Sequence, residues 1–518
     1  MKRELVNFIA VIGLVLLGAA VVLGLLTGIL FIFPNTSIMG AKAVKQRDTQ
    51  IEYCDDDLRD AFENGKFILE SSGTQIEVQM LNEGDGRITV NESATGIAFN
   101  SLNRTLVEWT QTLYNDELYY RIKVLEPSGM VFKQSPTIVY IDLPHRNDDF
   151  RYDFVLQNQY SPVNFSFIDK EAPTDSLLLD TLVVESAASV NIPYSQKISV
   201  NNVSIKSNNT KFTCGSSVLN NVFVSGKNNN IQFGNNSLTG ISGNVSISGE
   251  ENCFSGTSAN EVSFNANKGS LNMSQSIAAL HVKTTMASIT VNEVNGAVNM
   301  ITQSGNLKVN SVGDGLTFVA GTTESPYARA SLNASNVNGR IEVENYGTGN
   351  VTLNNINSDI SVKSTQVNGG AINVGFVESA DSHTVYIEGY DGDINLTGIN
   401  GGNVNVKVFG ERSRAGAANI SVQFKKVGNA EIRSGGYVDG HDEWGNVNVK
   451  LANGHNKLDL YVVYARSANS SASYGYDKNN MNISNDENNL AMGKNHIDGG
   501  SGATGILKIY SQNKVYLS

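Results

Sequence analysis

Val262, Leu271, Leu280, Ile289, Val298, Leu307 and Leu316 stand nine residues apart. Each is followed two residues on by a second apolar side chain: Phe264, Met273, Val282, Val291, Met300, Val309 and Phe318. Two apolar residues flanking one polar residue make a short strand with a single buried face. Such a strand cannot cover its own apolar pair, so seven in succession predict a solenoid whose units bury one another by stacking. The spacing leaves the number of faces open. Two strands per coil would give coils of about 18–20 residues and three about 27–30.

The beat has a local signature, Gly-x-apolar-x-apolar, as in Gly243–Ile247 and Gly269–Met273. It starts again at Gly296, Gly305, Gly339, Gly349, Gly370, Gly392, Gly402 and Gly445. The glycine falls where the chain must turn a corner, a place where positive φ is often needed. Asn is frequent at the same places, where it tolerates the left-handed conformation and can stack in ladders from coil to coil. Longer stretches interrupt the beat near 320–336, 375–390 and 409–416, and are read as loops on one face.

The flanks organise the rest. Residues 66–180 contain alternating strands of no fixed period, such as Gln75–Val78 and Tyr119–Val124, with more aromatic side chains. They are read as a β-sandwich-like module or an irregular opening to the solenoid. Residues 466–505 are a Ser/Asn/Gly tract. The beat then resumes at Leu507-x-Ile509 and Val515-x-Leu517, which predicts that the chain end returns to pair with the body. The expected divisions are 1–41 as transmembrane anchor, 42–65 as juxtamembrane linker, 66–180 as N-terminal β region, 181–465 as solenoid repeats, and 466–518 as loop and closing strands. The fold class is therefore all-β: a parallel β-solenoid (β-helix), preceded by an irregular β region and one transmembrane helix.

No charged residue lies between Leu5 and Ala41, and residues 6–33 are almost wholly apolar. That run exceeds the roughly 20 residues a helix needs to cross a bilayer, and the 7–15 of a signal-peptide centre. Residues 6–33 are expected to contact the lipid bilayer as an uncleaved single-pass anchor, with a cleaved signal as the alternative. Lys2 and Arg3 favour a cytoplasmic N-terminus, against competition from Lys42, Lys45 and Arg47. The long polar body favours export, which places it outside the cytoplasmic membrane. The net charge of −12 repels phosphate backbones, so nucleic acid is not an expected partner.

An apolar anchor, a β opening containing "VYIDLP", repeated "GxIxV"-like units and the closing "ILKIYSQNKVYLS" together resemble the toast-rack, or adhesin-like, family of β-strand-repeat proteins. The match spans about residues 66–518. The resemblance implies a right-handed β-solenoid at the cell envelope without established enzymatic activity, and supplies no catalytic residues.

Chemistry-bearing motifs are sparse. Tyr437, Asp439, His441, Asp442, Glu443 and Trp444 form the richest polar cluster. An aromatic beside carboxylates can grip a sugar ring or coordinate calcium, so these six are the candidate ligand-binding residues, against a solvated loop. Asp391 and Asp393 could be paired acids of a carbohydrate enzyme, but adjacent turn positions do not supply two carboxyls across a cleft. Gly500–Gly505 matches GxGxxG, yet it follows a polar tract and opens a strand, not a helix. Asp55–Asp57 reads as a helix start. His281 should face outward between Leu280 and Val282. The six histidines show no paired spacing, so no metal, cofactor or catalytic residue is expected. Cys214 and Cys253 fall on apolar beats and read as buried hydrophobes, with a disulfide between them left open.

The expected function is a membrane-anchored extracytoplasmic solenoid with an adhesin-like binding or structural role at the cell surface. It would take a surface glycan or protein ligand, and it would not be an enzyme. The alternatives are a β-helix carbohydrate hydrolase or lyase, and a polymerising envelope scaffold.

Overall fold

The computed structural model describes residues 2–32, 41–81, 85–144, 146, 149–167, 177–195, 198–234, 239–322, 329–364, 370–377, 382–409, 418–434, 447–452, 458–464, 472–474, 494–497, 505–511 and 515–517. Among the described residues it is all-β apart from two helices. The chain divides into a first unit, Met1–Asn221 with Asn229–Asn235, and a second, Val222–Asn228 with Asn236–Ser518.

In the second unit the nine-residue beat resolves into a coil of two strands. Val262 pairs in parallel with Leu280, Leu280 with Val298, and Val298 with Leu316. Leu271 pairs instead with Ile289, and Ile289 with Leu307. Successive beats thus belong alternately to two columns of strands, and a full coil takes 18 residues. The chain changes column every nine residues, so both columns belong to one coil. All fourteen side chains of the beat are buried, while the residues between them turn outward, His281 included. Buried, this aliphatic surface stabilises the stack by about 25 cal/mol per Å² of apolar area.

The interruptions lengthen coils without breaking the register. Leu316 pairs with Ile341, Ile360 with Val385, and Val404 with Ala430. Residues 25 or 26 apart then occupy the positions that 18 separated before. A side-chain clamp marks these corners. The residue before the first buried position donates its N–H to the Asn or Asp side chain at the same place one coil earlier. Glu261 donates to Asn244 (3.2 Å), Ser331 to Asn306 (3.0 Å), Ala371 to Asn350 (2.9 Å), Thr384 to Asp359 (2.7 Å) and Asn419 to Asp393 (2.7 Å). Past the buried pair, at the end of the strand, Asn310 donates to Asn292, and Asn355 to Asn336, as a stacked ladder. Asn336 and Asn355 have positive φ, as expected of Asn there.

The glycines act differently from the sequence expectation. Gly269 and Gly402 do have positive φ, and a Cβ on either would overlap a carbonyl of the preceding coil. Gly296, Gly349 and Gly370 meet the same obstruction without positive φ. Close approach of one coil's backbone to the next is therefore the commoner reason for glycine here.

Cys253 departs from the beat. Its neighbour Phe254 is the buried residue, paired with Leu271, while Cys253 is exposed. Val245 pairs with Val262, so this coil is one residue short, and counting back by nine lands on the wrong face. Cys54, Cys214 and Cys253 are all free thiols.

The chain end enters the stack out of sequence order. Gly505–Ser511 lies between Asn429–Ser434 and Leu458–Tyr464, parallel to both. Val515–Leu517 lies between Val447–Leu451 and Ala472–Tyr474. The last residues are therefore held under a coil that precedes them. Lys494–Ile497 pairs antiparallel along Leu458–Tyr464. An antiparallel strand stops further parallel addition at that edge.

The first unit opens with helix α1 (Lys2–Ile32). Its segment Ala10–Ile29 is long and apolar enough to cross a membrane, with mean hydropathy 2.6. Residues 42–53, read from sequence as linker, form strand β1 (Lys42–Tyr53). Helix α2 (Asp56–Asn64) follows, capped where the acidic triplet was expected to start it: Asp55 accepts from the Leu58 N–H at 2.9 Å. Gly65 ends it in the left-handed conformation.

Strands β2 (Lys66–Ser71), β3 (Gln75–Met80), β4 (Arg87–Ala98), β5 (Leu106–Tyr114), β6 (Glu117–Leu125), β7 (Gly129–Lys133), β8 (Ile138–Leu143), β9 (Tyr152–Phe167), β10 (Leu177–Ile192), β11 (Ile198–Ile205) and β12 (Lys211–Cys214) come next. They too form two parallel columns. One runs β6–β2–β9–β10–β11, with Phe67, Phe154, Leu182 and Val203 abreast. The other runs β8–β3–β9–β10–β12, with Val139, Ile76, Val163, Val190 and Phe212 abreast. β9 and β10 are long enough to turn the corner and serve both. The starting edges are antiparallel: β5 on β6, and β1, β7 and β8 on β4. Phe67, Tyr152, Phe154 and Phe165 fill this core, with Phe67 and Phe154 stacked at 5.4 Å.

Candidate functional site

The outward face of β6, β2, β9 and β10 carries a polar groove. Alternation in a strand sends every second residue to the same side, and the register brings Lys123, Glu70, Gln157 and Ser186 abreast. Further along the same face Ile68, Val155, Val183 and Tyr119 form a small apolar cluster. Tyr114, at the turn of the β5–β6 hairpin, packs over it. The turn has Asn115 and Asp116 both at positive φ, the two-residue geometry that suits the twist of a hairpin. Its closure folds Tyr114 across the sheet, where the phenol donates to Glu185 Oε1 at 2.8 Å.

The groove next to this cluster has a volume of about 830 Å³. Arg121 Nη1 and Lys123 Nζ both hold Glu70, at 2.9 and 3.0 Å. Burial works against the Glu70 charge, but the two cationic donors outweigh it and hold the carboxyl below its ordinary range. Glu185 accepts from Gln157 Nε2 at 2.7 Å as well as from Tyr114. Burial, then this carboxylate, pushes the Tyr114 phenol up to about 12. Burial likewise pushes Tyr119 to about 12. At the far side Lys133 holds Oε2 of Glu126 at 2.9 Å, while Oε1 of Glu126 is buried without a hydrogen-bond partner among the described residues. Asn100 Nδ2 donates to the Glu126 carbonyl at 2.6 Å.

Such a lining can exchange hydrogen bonds with a polar ligand. It offers two cations, three carboxylates and two amides in fixed positions. It includes no His or Cys, and the carboxyls of Glu70 and Glu185 are engaged. Among the described residues no group of three His, Cys, Asp or Glu side chains could hold a metal ion.

A shallower groove of about 450 Å³ lies on the outer face of the second unit. Tyr386, Asn405, Glu431 and Lys508 stand abreast there. Tyr386 donates to Glu388 at 2.5 Å, and that bond, with burial, pushes its phenol to about 12. Lys407 sits over the Tyr386 ring at 5.6 Å. Asn405 Oδ1 is buried without a partner among the described residues.

The cluster expected from sequence, Tyr437, Asp439, His441, Asp442, Glu443 and Trp444, lies outside the described residues. Asp391 sits at positive φ in a turn, and Asp393 is the corner clamp that accepts from Asn419. Of Gly500–Gly505 only Gly505 is described, as the first residue of a strand. Sequence reasoning missed Glu70, Arg121, Lys123, Gln157 and Glu185. The usable signal was the outward half of Tyr119–Val124, which carries Tyr119, Arg121 and Lys123 in alternation.

No family model matches the chain, and no curated protein matches it. Among solved structures, a crystal structure described as a "putative cell adhesion protein" from Clostridium sporogenes ATCC 15579 is 11% identical. The alignment covers 60% of this chain and 99% of that one, with a TM-score of 0.19. At that score the likeness fixes neither fold nor role.

Proposed function

We propose that the chain is a membrane-anchored, extracytoplasmic, right-handed β-solenoid of the toast-rack kind, with an adhesin-like binding role at the cell surface. Helix α1 is its single-pass anchor, and the groove over β6, β2, β9 and β10 takes the ligand, a surface glycan or a protein segment of comparable polarity. The observation that carries this reading is the groove itself. Four parallel strands hold Lys123, Glu70, Gln157 and Ser186 side by side, and a folded-over hairpin walls them in. Side chains on rigid strands give a preorganised set of hydrogen-bonding partners, which is what recognition of a flexible polar ligand requires.

Two measurements test it. A membrane-impermeant maleimide applied to intact cells should label Cys54 and Cys253, which are exposed in the folded chain; labelling only after lysis removes the extracytoplasmic placement. A glycan and cell-surface binding screen with the full chain in nanodiscs should return ligands whose affinity falls roughly tenfold or more in Glu70→Gln and Arg121→Gln, as for loss of charge-assisted hydrogen bonds. Unchanged affinity in both variants, or turnover of a polysaccharide, would overturn the reading.

A further inference from the structure

One face of the antiparallel sheet of β1, β4 and β7 carries large apolar side chains that stand exposed among the described residues. Residues opposite each other in a sheet share a face, and each strand returns to that face at every second residue. Ala43 stands opposite Ile97, Ile97 opposite Met130, and Thr95 opposite Phe132. Ile97, Phe99, Met130 and Phe132 therefore lie on one side of the sheet. The other side, Val44, Ala94, Ala98 and Val131, packs as a cluster of its own. On the first side Ile97 and Ala43 are buried against each other and Ala41. Phe99, Met130 and Phe132 surround them at 54%, 42% and 69% exposure. The Phe99 ring also lies against the backbone of Gly129, next to Met130. Single exposed apolar residues are ordinary, but a contiguous set around a buried one marks an interaction surface.

Position along the chain selects the occupant. Only residues 33–41 separate α1 from β1, and nine residues reach at most about 30 Å. The corner of the sheet bearing Ala43, Ile97 and Phe99 is thus tethered within that distance of the end of an apolar helix long enough to cross a bilayer. We propose that this face rests in the interfacial layer of the bilayer that α1 crosses, with Phe99, Met130 and Phe132 at the boundary between headgroups and acyl chains. Large apolar side chains on one face of a polar body bind there by burying their area, and the tether removes most of the cost of bringing them to it. The effect is to fix the orientation of the first unit at the membrane surface. The inference rests on the reading of α1 as an anchor.

The test uses the full chain reconstituted in phosphatidylcholine–phosphatidylglycerol vesicles. In a Cys54→Ser, Cys253→Ser background, Phe99→Cys, Phe132→Cys and Leu113→Cys each carry one environment-sensitive fluorophore. Leu113 is 72% exposed on β5 of the same unit and serves as control. Lipids bearing a nitroxide near the glycerol should quench the labels at 99 and 132 about twofold or more, and leave 113 unquenched, as for side chains held in the interface. Labels at 99 and 132 that respond like 113 overturn the proposal. So does copper-catalysed cross-linking between copies through 99 or 132 without lipid quenching, which would make a second copy the occupant. An alkaline carbonate wash of the same vesicles separates the two readings. A chain retained but unquenched disproves only the resting face; a chain washed off disproves the anchor, and the face with it.

Discussion

In residues 262–318 strand partners are 18 residues apart and the buried pairs are mostly aliphatic. In residues 66–192 the same kind of column is built from partners at unequal distances. From β3 to β9 the step is 87 residues, and from β9 to β10 it is 28. Both regions keep parallel register across two columns. Equal coil length is therefore not what holds register; matched burial at each level is. Where coils are equal, nothing is left over, and the outward residue of each buried pair is mostly Asn, Ser, Thr or Lys. Where they are unequal, the surplus chain becomes the β5–β6 hairpin and the β1–β4–β7–β8 sheet. That surplus makes the groove wall at Tyr114 and the exposed apolar side chains around Phe99. Site-like features arise where periodicity fails.

The largest expected effect falls on the irregular region. Phe154 is fully buried between Phe67 and Phe165 and belongs to a strand that serves both columns. Phe154→Ala should destabilise the first unit by about 3–5 kcal/mol, the range for deleting a buried ring and leaving a cavity. The urea midpoint followed by Trp109 fluorescence in a Trp444→Phe background measures it. A loss below about 1 kcal/mol, the level of a surface change, would mean that the aromatic core is not what replaces the missing repeat.

How much of this was legible before the structure depends on the same contrast. The strands at 262–318 could be read directly, because each apolar pair states its own face. The count of faces could not, since two- and three-strand coils share a nine-residue spacing and differ only in which strand is the partner. Cys253 was misplaced because one coil is a residue short. The glycines were located by pattern, but their reason, the carbonyl of the coil beneath, belongs to stacking. In the first unit Glu70, Arg121, Gln157 and Glu185 each read as an ordinary polar residue of an alternating strand. Only the pairing of β6, β2, β9 and β10 brings them into one groove. The insertion of Gly505–Ser511 beneath Leu458–Tyr464 was equally hidden, since both segments carry the same alternation.

A smaller effect is expected at alkaline pH, again in the first unit. Tyr114 and Tyr119 both titrate at about 12 in the folded chain, with burial the leading cause, against an ordinary value of 10. Below pH 10 both states keep these protons and the contribution to stability is complete. Between pH 10 and 12 the unfolded chain has released them and the folded one has not, so rising pH favours unfolding. The urea midpoint by circular dichroism should therefore fall across that window. The fall should be shallower in Tyr114→Phe/Tyr119→Phe. Tyr114 is partly open to solvent, which screens the effect and keeps it below that of Phe154→Ala. Identical slopes in the two proteins would show that the hairpin cover over Ile68 and Val155 contributes nothing through these phenols.

The smallest effect should come from the most drastic-looking change. Deleting residues 280–297 removes one complete coil from the regular stretch. Val298 then follows Ala279 and faces Val262, and Leu307 faces Leu271, so every buried pair finds an equivalent partner. In a stack whose stability is a sum of coils and their interfaces, losing one interior coil leaves all remaining interfaces intact. The melting temperature should change by no more than a few degrees, the scale of about 1 kcal/mol in a domain of this kind. Deleting one further residue, Val298 itself, puts Asn299 where the first buried side chain belongs and turns that strand's apolar residues outward. That variant should lose several times more stability, although it differs by a single residue. If the two deletions melt alike, register in the regular stretch is not set by the two-strand coil, and the contrast with residues 66–192 loses its physical basis.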